Sequence, residues 1–331
     1  MHITNNTGIS LSLAVWLIDD NYDYIDQENY ISVTTLMRPV KQIVLAGRVD
    51  KATQATDVSE FTARALGNAI HAAVEKAWVN SYQRSLRLLG TPQSVIDRVR
   101  INPSDEEMIQ GETDGLDLIA IYLEQREYRQ INGYTIGGKF DLVAEGHVED
   151  TKSTSAYGWL FGTRDDENRL QGSLYRWIDV PRKVRRITKD YIRVNYVFTD
   201  WQKAQARQNP NYPQKRTEHK DIPLLSLQET ENFIITKLDQ IERYKNAPEH
   251  EMPECTDEEL WRSEPQYKYY SDPTKTDGRS TRNFDNLLEA NTFMSEKGKG
   301  IVITKLGEVK RCAYCPAFDA CKQKDRYHDQ P

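Results

Sequence analysis

The chain has 331 residues, of which 38% are apolar, and its formal net charge is −6 at pH 7. Its 18 Tyr, 8 Phe and 6 Trp exclude a disordered chain, and its length suffices for one large domain or two small ones. The longest apolar stretch is interrupted by serines, and no basic region precedes an apolar run at the N-terminus. We therefore expect a cytoplasmic protein with no membrane partner, whose nucleic-acid surface, if it has one, is local.

The predicted elements begin with short strands or turns over residues 1–56. Ser59 can cap a helix from about Glu60 to Tyr82, because apolar residues recur at helical spacing along that segment. Residues 83–113 are polar, and a further helix and a loop are expected there.

The hydrophobic period then changes to two, which predicts three consecutive strands. These are Leu118–Leu123, Tyr134–Val143 and His147–Thr154. Asn132-Gly133 is a strong hairpin turn signal between the first two strands, and Glu145-Gly146 serves the second turn.

The second half of the chain returns to a helix over 165–178, and then to a strand over Tyr191–Phe198. Residues 202–225 are rich in Gln, Asn, Pro and Lys and predict an exposed loop. An amphipathic helix is expected over 226–246. From residue 247 onward the chain is polar and lacks apolar periodicity before a cluster of cysteines.

Several polar residues are placed on these elements in a way that suggests chemistry. Gly67, His71 and Glu75 are spaced four apart, so they lie along one face of the first long helix. Asp141 lies late in a strand between apolar residues, where a carboxylate is costly to bury without a partner. Taken alone, each feature is also compatible with an ordinary structural histidine or a solvated aspartate near a turn.

Asp150 and Lys152 lie on one face of the next strand, with Glu149 and Thr151 on the other. This pair can be an ordinary exposed ion pair. With Asp141 on the neighbouring strand, however, the two aspartates form a carboxylate pair that can hold a hard divalent cation beside an ammonium group. Metal-assisted hydrolysis of a phosphodiester needs these parts.

The order of the motifs resembles that of a known family. G-x-x-x-H-x-x-x-E on a helix, then G-G-K-F-D, then D-x-K, then Q-x-x-x-Y is similar to the RecB-like nucleases of the PD-(D/E)XK superfamily over residues 60–200. The resemblance implies an α/β fold with a restriction-endonuclease-like core, in which helices flank a mixed sheet. A helical or irregular metal-cluster region would follow this core.

The resemblance also implies roles for individual residues. His71, Asp141, Asp150 and the Thr151 carbonyl would bind Mg2+ or Mn2+, and Asp141, Asp150 and Lys152 would be catalytic. Gln171 and Tyr175 would help to position the DNA strand. The third motif has Asp rather than Glu before its lysine, and the adjacent Glu149 is an alternative carboxylate.

The cysteines point to a second metal centre. Cys312, Cys315 and Cys321 fall within ten residues of one another, and Cys255 is the fourth cysteine of the chain. Such clustering favours metal ligation over scattered core cysteines. The tail is similar to that of AddB-type and CRISPR-associated nucleases, which implies a [4Fe-4S] cluster. The layout of the whole chain resembles that of stand-alone RecB-like exonucleases encoded by tailed bacteriophages. Zinc is the alternative, because here no cysteine precedes the nuclease core.

The predicted organisation has three parts: an extension over 1–56, a nuclease core over 57–250 and a cysteine-clamped region over 251–331. The predicted function is metal-dependent DNA hydrolysis by an exonuclease, in recombination, repair or degradation of phage DNA, in the host cytoplasm if a phage encodes it. An endonuclease or nickase of the same fold, or a non-catalytic DNA-binding recombination factor, is the alternative. The partners expected are DNA ends and recombination or replication proteins.

Basic segments offer local surfaces for DNA despite the negative total charge. The first lies within residues 181–194, the second follows in the loop over 203–220, and the third lies within residues 267–282, where tyrosines alternate with cations. Aromatic residues between cations suit a single strand. The structural alternative for each is a solvated basic face.

Overall fold

The computed structural model describes residues 2–20, 23–50, 55–162 and 164–328. The chain divides into two compact units: Met1–Met37 with Asp50–Leu238, and Arg38–Val49 with Asp239–Pro331. The three-part division at residues 56 and 250 stays a prediction.

The helices of the described residues are numbered in chain order. They are α1 (Leu11–Ile18), α2 (Val33–Leu36), α3 (Val40–Ala46), α4 (Thr62–Leu88), α5 (Gln93–Ile96), α6 (Asp105–Thr113), α7 (Ala156–Phe161), α8 (Asp165–Asp179), α9 (Lys203–Gln208), α10 (Leu227–Tyr244), α11 (Leu287–Lys297) and α12 (Asp325–His328). Short 3-10 helices occur at Val58–Phe61, Glu249–Glu251, Arg311–Tyr314 and Phe318–Ala320. Within these described ranges, no helix has both the length and the apolar character that crossing a membrane requires.

The strands of the described residues are likewise numbered in chain order. They are β1 (His2–Thr4), β2 (Tyr30–Ser32), β3 (Ala55–Asp57), β4 (Val99–Ile101), β5 (Ile119–Ile131), β6 (Tyr134–Ala144), β7 (His147–Thr154), β8 (Tyr191–Phe198), β9 (Thr217–Pro223), β10 (Gln266–Tyr270), β11 (Arg282–Phe284) and β12 (Ile301–Lys305). β1 and β3 pair in parallel as a small separate sheet.

The first unit is built on a mixed sheet with the strand order β4-β5-β6-β7-β8-β9. The pairs β5–β6, β6–β7 and β8–β9 are antiparallel, and β4–β5 and β7–β8 are parallel. The short strand β2 pairs in parallel with the beginning of β6. Helices flank this sheet: α8 buries Leu174, Trp177 and Ile178 completely, and Trp78 of α4 packs on Leu123, Leu142 and neighbouring apolar residues. The predicted α/β class with a mixed, helix-flanked sheet is confirmed.

The long hairpin β5–β6 forms where the turn signal predicted it. Asn132 and Gly133 both adopt positive φ, of 49° and 78°, as a two-residue turn of the type that fits twisted strands requires. Ile131 and Tyr134 are directly opposite each other across this turn. The hairpin carries β5 eight residues beyond the predicted end at Leu123.

The prediction of an exposed loop over 202–225 is wrong. This segment contains α9 and the strand β9, whose residues 217–223 pair with residues 191–197 of β8. β9 is an edge strand, and its exposed positions carry charged and polar side chains, as edge strands do to avoid aggregation. The polar composition therefore hid the strand.

The second unit has two small cores. Val40, Val44 and Leu45 of α3 pack with Met252 and Ala317. Separately, β10 pairs in antiparallel fashion with both β11 and β12, and α11 covers this three-stranded sheet. Tyr269, Phe284 and Ala290 are buried between the sheet and α11. The segment from 247 to the cysteines is therefore more regular than its composition suggested.

Two helical glycines give a matched test of the packing of the first unit. A Cβ at Gly172 of α8 would lie 2.8 Å from Ile192 Cβ, whereas a Cβ at Gly67 of α4 would meet nothing within 4 Å. We expect Gly172→Ala to lower the free energy of unfolding by about 1–3 kcal/mol through overpacking. Gly67→Ala should raise it by about 0.5–1 kcal/mol through reduced chain entropy.

Urea denaturation of both variants beside the unchanged protein measures these changes. Equal effects of the two substitutions would contradict the close approach of α8 to β8.

Candidate functional site

The site lies where two strands of the sheet separate. β6 and β7 are paired over three residues only, from Leu142–Glu149 to Ala144–His147. Beyond that point β7 pairs only with β8. The side of β6 that β7 has left is next paired by β2, at Thr135–Gly137. Asp141 and Asp150 are the first residues past the paired part, so both lie at the opening between the two strands.

The pleat of the sheet is interrupted at the same place. Leu142 packs in the cluster that Trp78 of α4 joins, whereas Phe140 packs edge-on against Tyr175 of α8, at 6.0 Å between ring centroids. Residues two apart on a regular strand share a face, so the face changes between Phe140 and Leu142. The pairing of β5 with β6 skips Glu124 and Asp141, and Glu124 has a φ of 52°, which is uncommon for a residue with a Cβ.

His71 reaches this opening from α4. Its Nδ1 lies 3.0 Å from Asp141 Oδ2, and its Nε2 lies 2.8 Å from the Thr151 carbonyl oxygen. The hydrogen bond to Asp141 raises the pKa of His71 to about 8, although burial of the ring acts in the opposite direction. The spacing on the helix thus brings His71 to two of the residues that the resemblance implied.

Glu124 is a member of the site that the sequence reasoning missed. One ligand atom each of His71, Glu124 and Asp141 lies within 4.8 Å of the other two, and within the described ranges no other set of three His, Cys, Asp or Glu residues does so. Glu124 also contacts Lys139, with 2.5 Å between its Oε2 and Lys139 Nζ. In the sequence, Glu124 looks like an ordinary polar position of an alternating strand, so no pattern identified it.

Asp150 and Lys152 lie next to this triad without belonging to it. Lys152 Nζ is 2.8 Å from Asp150 Oδ2, and the Asp150 side chain is almost fully buried. Burial raises the pKa of Asp141, and the negative charge of Asp150 raises it further. The two aspartates are therefore close enough to interact electrostatically, with an ammonium beside them.

Gln171 and Tyr175 are brought together on α8. Gln171 Nε2 donates to the Tyr175 hydroxyl at 3.1 Å, and that hydroxyl donates to the Lys139 carbonyl at 3.0 Å. Tyr175 is buried, so in this structure it fastens the backbone of β6 two residues before Asp141. Their role in positioning DNA stays a prediction.

The donor atoms of the opening fit a hard divalent cation. The carboxylate oxygens and the Thr151 carbonyl, which is 2.8 Å from the His71 ring, are oxygen ligands of the kind that Mg2+ and Mn2+ prefer, and the imidazole adds one nitrogen. Glu75 lines both clefts that His71 borders.

The four cysteines line one cavity of the second unit, although no three of their sulfurs lie within 4.8 Å of one another. All four are free of disulfide bonds. Gln323 links Cys255 to the C-terminal tail: its Nε2 donates to the Cys255 carbonyl and its Oε1 accepts from the Cys255 N–H, each at 2.9 Å. Cys255 therefore borders the same cavity as the other three cysteines, although it is distant from them in sequence.

The four cysteines are half-buried, and their cavity is bordered by cations. Burial raises the pKa of Cys255 to about 12, and it also raises the pKa of Cys315. Burial lowers the pKa of Arg38, and the positive charge of Arg311 lowers it further, whereas Cys315 raises it. Thiolates are costly here unless a positive group binds them, and guanidinium groups are already in place for an anionic cluster.

Of the predicted basic surfaces, the run over 181–194 is partly occupied by ion pairs. Arg182 pairs with Asp105 and Glu127, and Arg193 pairs with Asp221. Arg186 is buried. These arginines hold the first unit together rather than presenting free cations.

The comparisons with known proteins assign neither family nor function. No family model matches the sequence, and no curated protein matches it. The chain is similar to a solved structure described as "Crystal structure of SSO0001", with 15% sequence identity and a TM-score of 0.40 over 72% of this chain and 86% of that one. A likeness at that level carries no argument.

A change at Glu124 tests the triad directly. We expect Glu124→Gln to weaken Mn2+ binding by about tenfold or more, because a neutral amide replaces a carboxylate beside two other ligands. Glu112→Gln removes the same charge from an exposed position of α6 and should leave the affinity unchanged. Mn2+ titration followed by electron paramagnetic resonance measures both, and equal affinities of the two variants would exclude Glu124 as a ligand.

Proposed function

We propose that the protein is a metal-dependent DNA nuclease with a RecB-like PD-(D/E)XK core, acting as an exonuclease. One observation carries the proposal: His71, Glu124 and Asp141 converge where β6 and β7 separate, with Asp150 and Lys152 beside them. The motif order along the sequence supports the same assignment.

The arrangement divides the chemistry among its residues. A divalent cation bound by His71, Glu124 and Asp141 would activate water and neutralise charge on the phosphate. Asp150 holds the Lys152 ammonium at 2.8 Å, where it can orient the attacking water or stabilise the extra negative charge of the transition state. Tyr175 keeps Asp141 in place through the backbone of β6.

A [4Fe-4S] cluster is our proposal for the cysteine cavity, with Cys255, Cys312, Cys315 and Cys321 as ligands. The C-x2-C-x5-C spacing of the last three cysteines and the cavity that all four line support this assignment. Zinc remains the alternative, and metal analysis of the purified protein distinguishes it from iron.

DNA is the proposed partner, and the second unit offers a polar pocket for its phosphates. Lys268, Arg279 and Arg282 line this pocket together with the hydroxyl groups of Ser280 and Thr281. Cations and hydroxyls of this kind contact the nucleic-acid backbone without reading its sequence.

The nuclease proposal is tested by digestion of end-labelled linear and circular DNA, single- and double-stranded. We expect cleavage of linear DNA from its ends with Mg2+ or Mn2+ and none in EDTA. Asp141→Asn should lower turnover by about a hundredfold or more, because it removes a ligand and half of the carboxylate pair. Lys152→Ala should lower turnover far more than DNA affinity.

Glu112→Gln serves as the control for charge removal at a distance, and it should cleave normally. Unchanged cleavage in EDTA or by Asp141→Asn would overturn the nuclease assignment. Cleavage of circular DNA would change the assignment to an endonuclease of the same fold, and binding without cleavage would favour a DNA-binding recombination factor.

The cluster proposal predicts that protein purified without oxygen is brown and contains iron and acid-labile sulfide in equal amounts. Replacing any one of the four cysteines by serine should remove the colour and expose the tail after Cys312 to proteolysis. Ala313→Ser, between two ligands and exposed, is the matched control and should stay brown. A colourless protein with one tightly bound zinc would contradict the iron–sulfur assignment, and a full cluster in Cys255→Ser would exclude Cys255 as a ligand.

A further inference from the structure

Helix α1 leaves an apolar surface in solvent near the candidate site. Five of its eight residues are large, apolar and at least 40% exposed: Leu11, Leu13, Val15, Trp16 and Ile18. Leu17 is the residue that α1 buries against Val58 and Ala65. A short helix that buries one large side chain and exposes this much apolar area is suited to bind another molecule.

Trp16 is the member of this surface that faces the metal-binding residues. It lines the same cleft as His71, Glu124 and Asp141 and is 40% exposed. The indole therefore has a free surface within a cleft that ends at the proposed reaction centre.

One face of α4 also lines this cleft. Ala65, Ala69 and Ala72 follow one another at helical spacing, so small side chains face the cleft, and Asn68 lies among them. The cleft has a volume of about 420 Å3, which is enough for a nucleotide. A flat aromatic ring, alanine methyl groups and one amide line it beside four carboxylates and one ammonium, which belong to Asp19, Glu75, Glu124, Asp141 and Lys139. The aromatic ring and the amide are suited to a planar group with polar edges.

We propose that Trp16 stacks on an unpaired nucleobase of the DNA strand whose phosphate reaches His71 and Asp141, a role that rests on the proposed nuclease function. In a duplex, both faces of each base are covered by its neighbours, so stacking on an indole selects an unpaired nucleotide. The Asn68 amide can meet the edge of that base. Trp16 is thus a positioning residue that favours single-stranded DNA or frayed ends as the substrate.

Binding to base-bearing and base-free strands separates stacking from attraction to phosphate. The probes are a fluorescein-labelled oligothymidylate and an abasic oligonucleotide of equal length, titrated in Ca2+ with the full chain and followed by anisotropy. The unchanged protein should bind oligothymidylate about tenfold more tightly than the abasic strand, the usual effect of one base–aromatic stack. Trp16→Ala should lose most of that preference, and Trp16→Phe should retain it.

Leu13→Ala is the matched control, because it removes an exposed apolar side chain from the same helix outside the cleft. It should keep the preference, and thermal melting should show that every variant is folded. A folded Trp16→Ala that prefers oligothymidylate as the unchanged protein does would overturn the proposal, as would an unchanged protein with no preference. A protein that cleaves DNA without this preference loses the stacking role alone, whereas one that shows the preference but never cleaves loses the nuclease function alone.

Discussion

The early separation of β6 from β7 is the constraint on which the first unit depends. If the pairing of β6 with β7 continued, Asp141 and Asp150 would lie directly opposite each other. Both carboxylates would then lie on the surface of a continuous sheet. Because pairing stops after Leu142–Glu149, β7 follows β8 while β6 stays with β5. The opening that results is reached by α4 from one side and bordered by α8 on the other, so each helix supplies a residue that fixes the position of Asp141.

The local electrostatics explain how three carboxylates can lie so close together. Each has one cation beside it: Lys139 contacts Glu124, His71 contacts Asp141 and Lys152 contacts Asp150. These pairs offset the cost of removing the charges from water, although the raised pKa of Asp141 shows that the compensation is incomplete. The remaining excess of negative potential would favour the divalent cation of the proposed function.

Much of the fold and part of the site could be predicted from the sequence. The period-two segments and the Asn132-Gly133 turn predicted the central hairpin, because backbone geometry and turn chemistry are local. His71 and Asp141 were found because helical spacing and a lone buried carboxylate leave a pattern. Glu124 left none: its place in the site comes from a positive φ and from the register of β5 on β6, which are properties of the assembled sheet. The edge strand β9 was hidden for a similar reason, since pairing rather than composition makes it a strand.

The second unit shows why a polar composition does not exclude a folded segment. Residues 256–311 contain the sheet β10–β12 and α11, whose small core around Tyr269, Phe284 and Ala290 needs few apolar side chains. The two ends of this segment are already joined by backbone contacts, from Ser263 N–H to the Glu308 carbonyl and from Arg311 N–H to the Leu260 carbonyl. A cluster bound at Cys255 and Cys312 would therefore close a loop whose interior is already ordered. The main structural effect of the cluster should then fall on the tail after Cys312 and on the contacts of Gln323 with Cys255. The cysteines would therefore stabilise the junction between this segment and the rest of the second unit. The basic pocket of Lys268, Arg279 and Arg282 is held by the sheet itself.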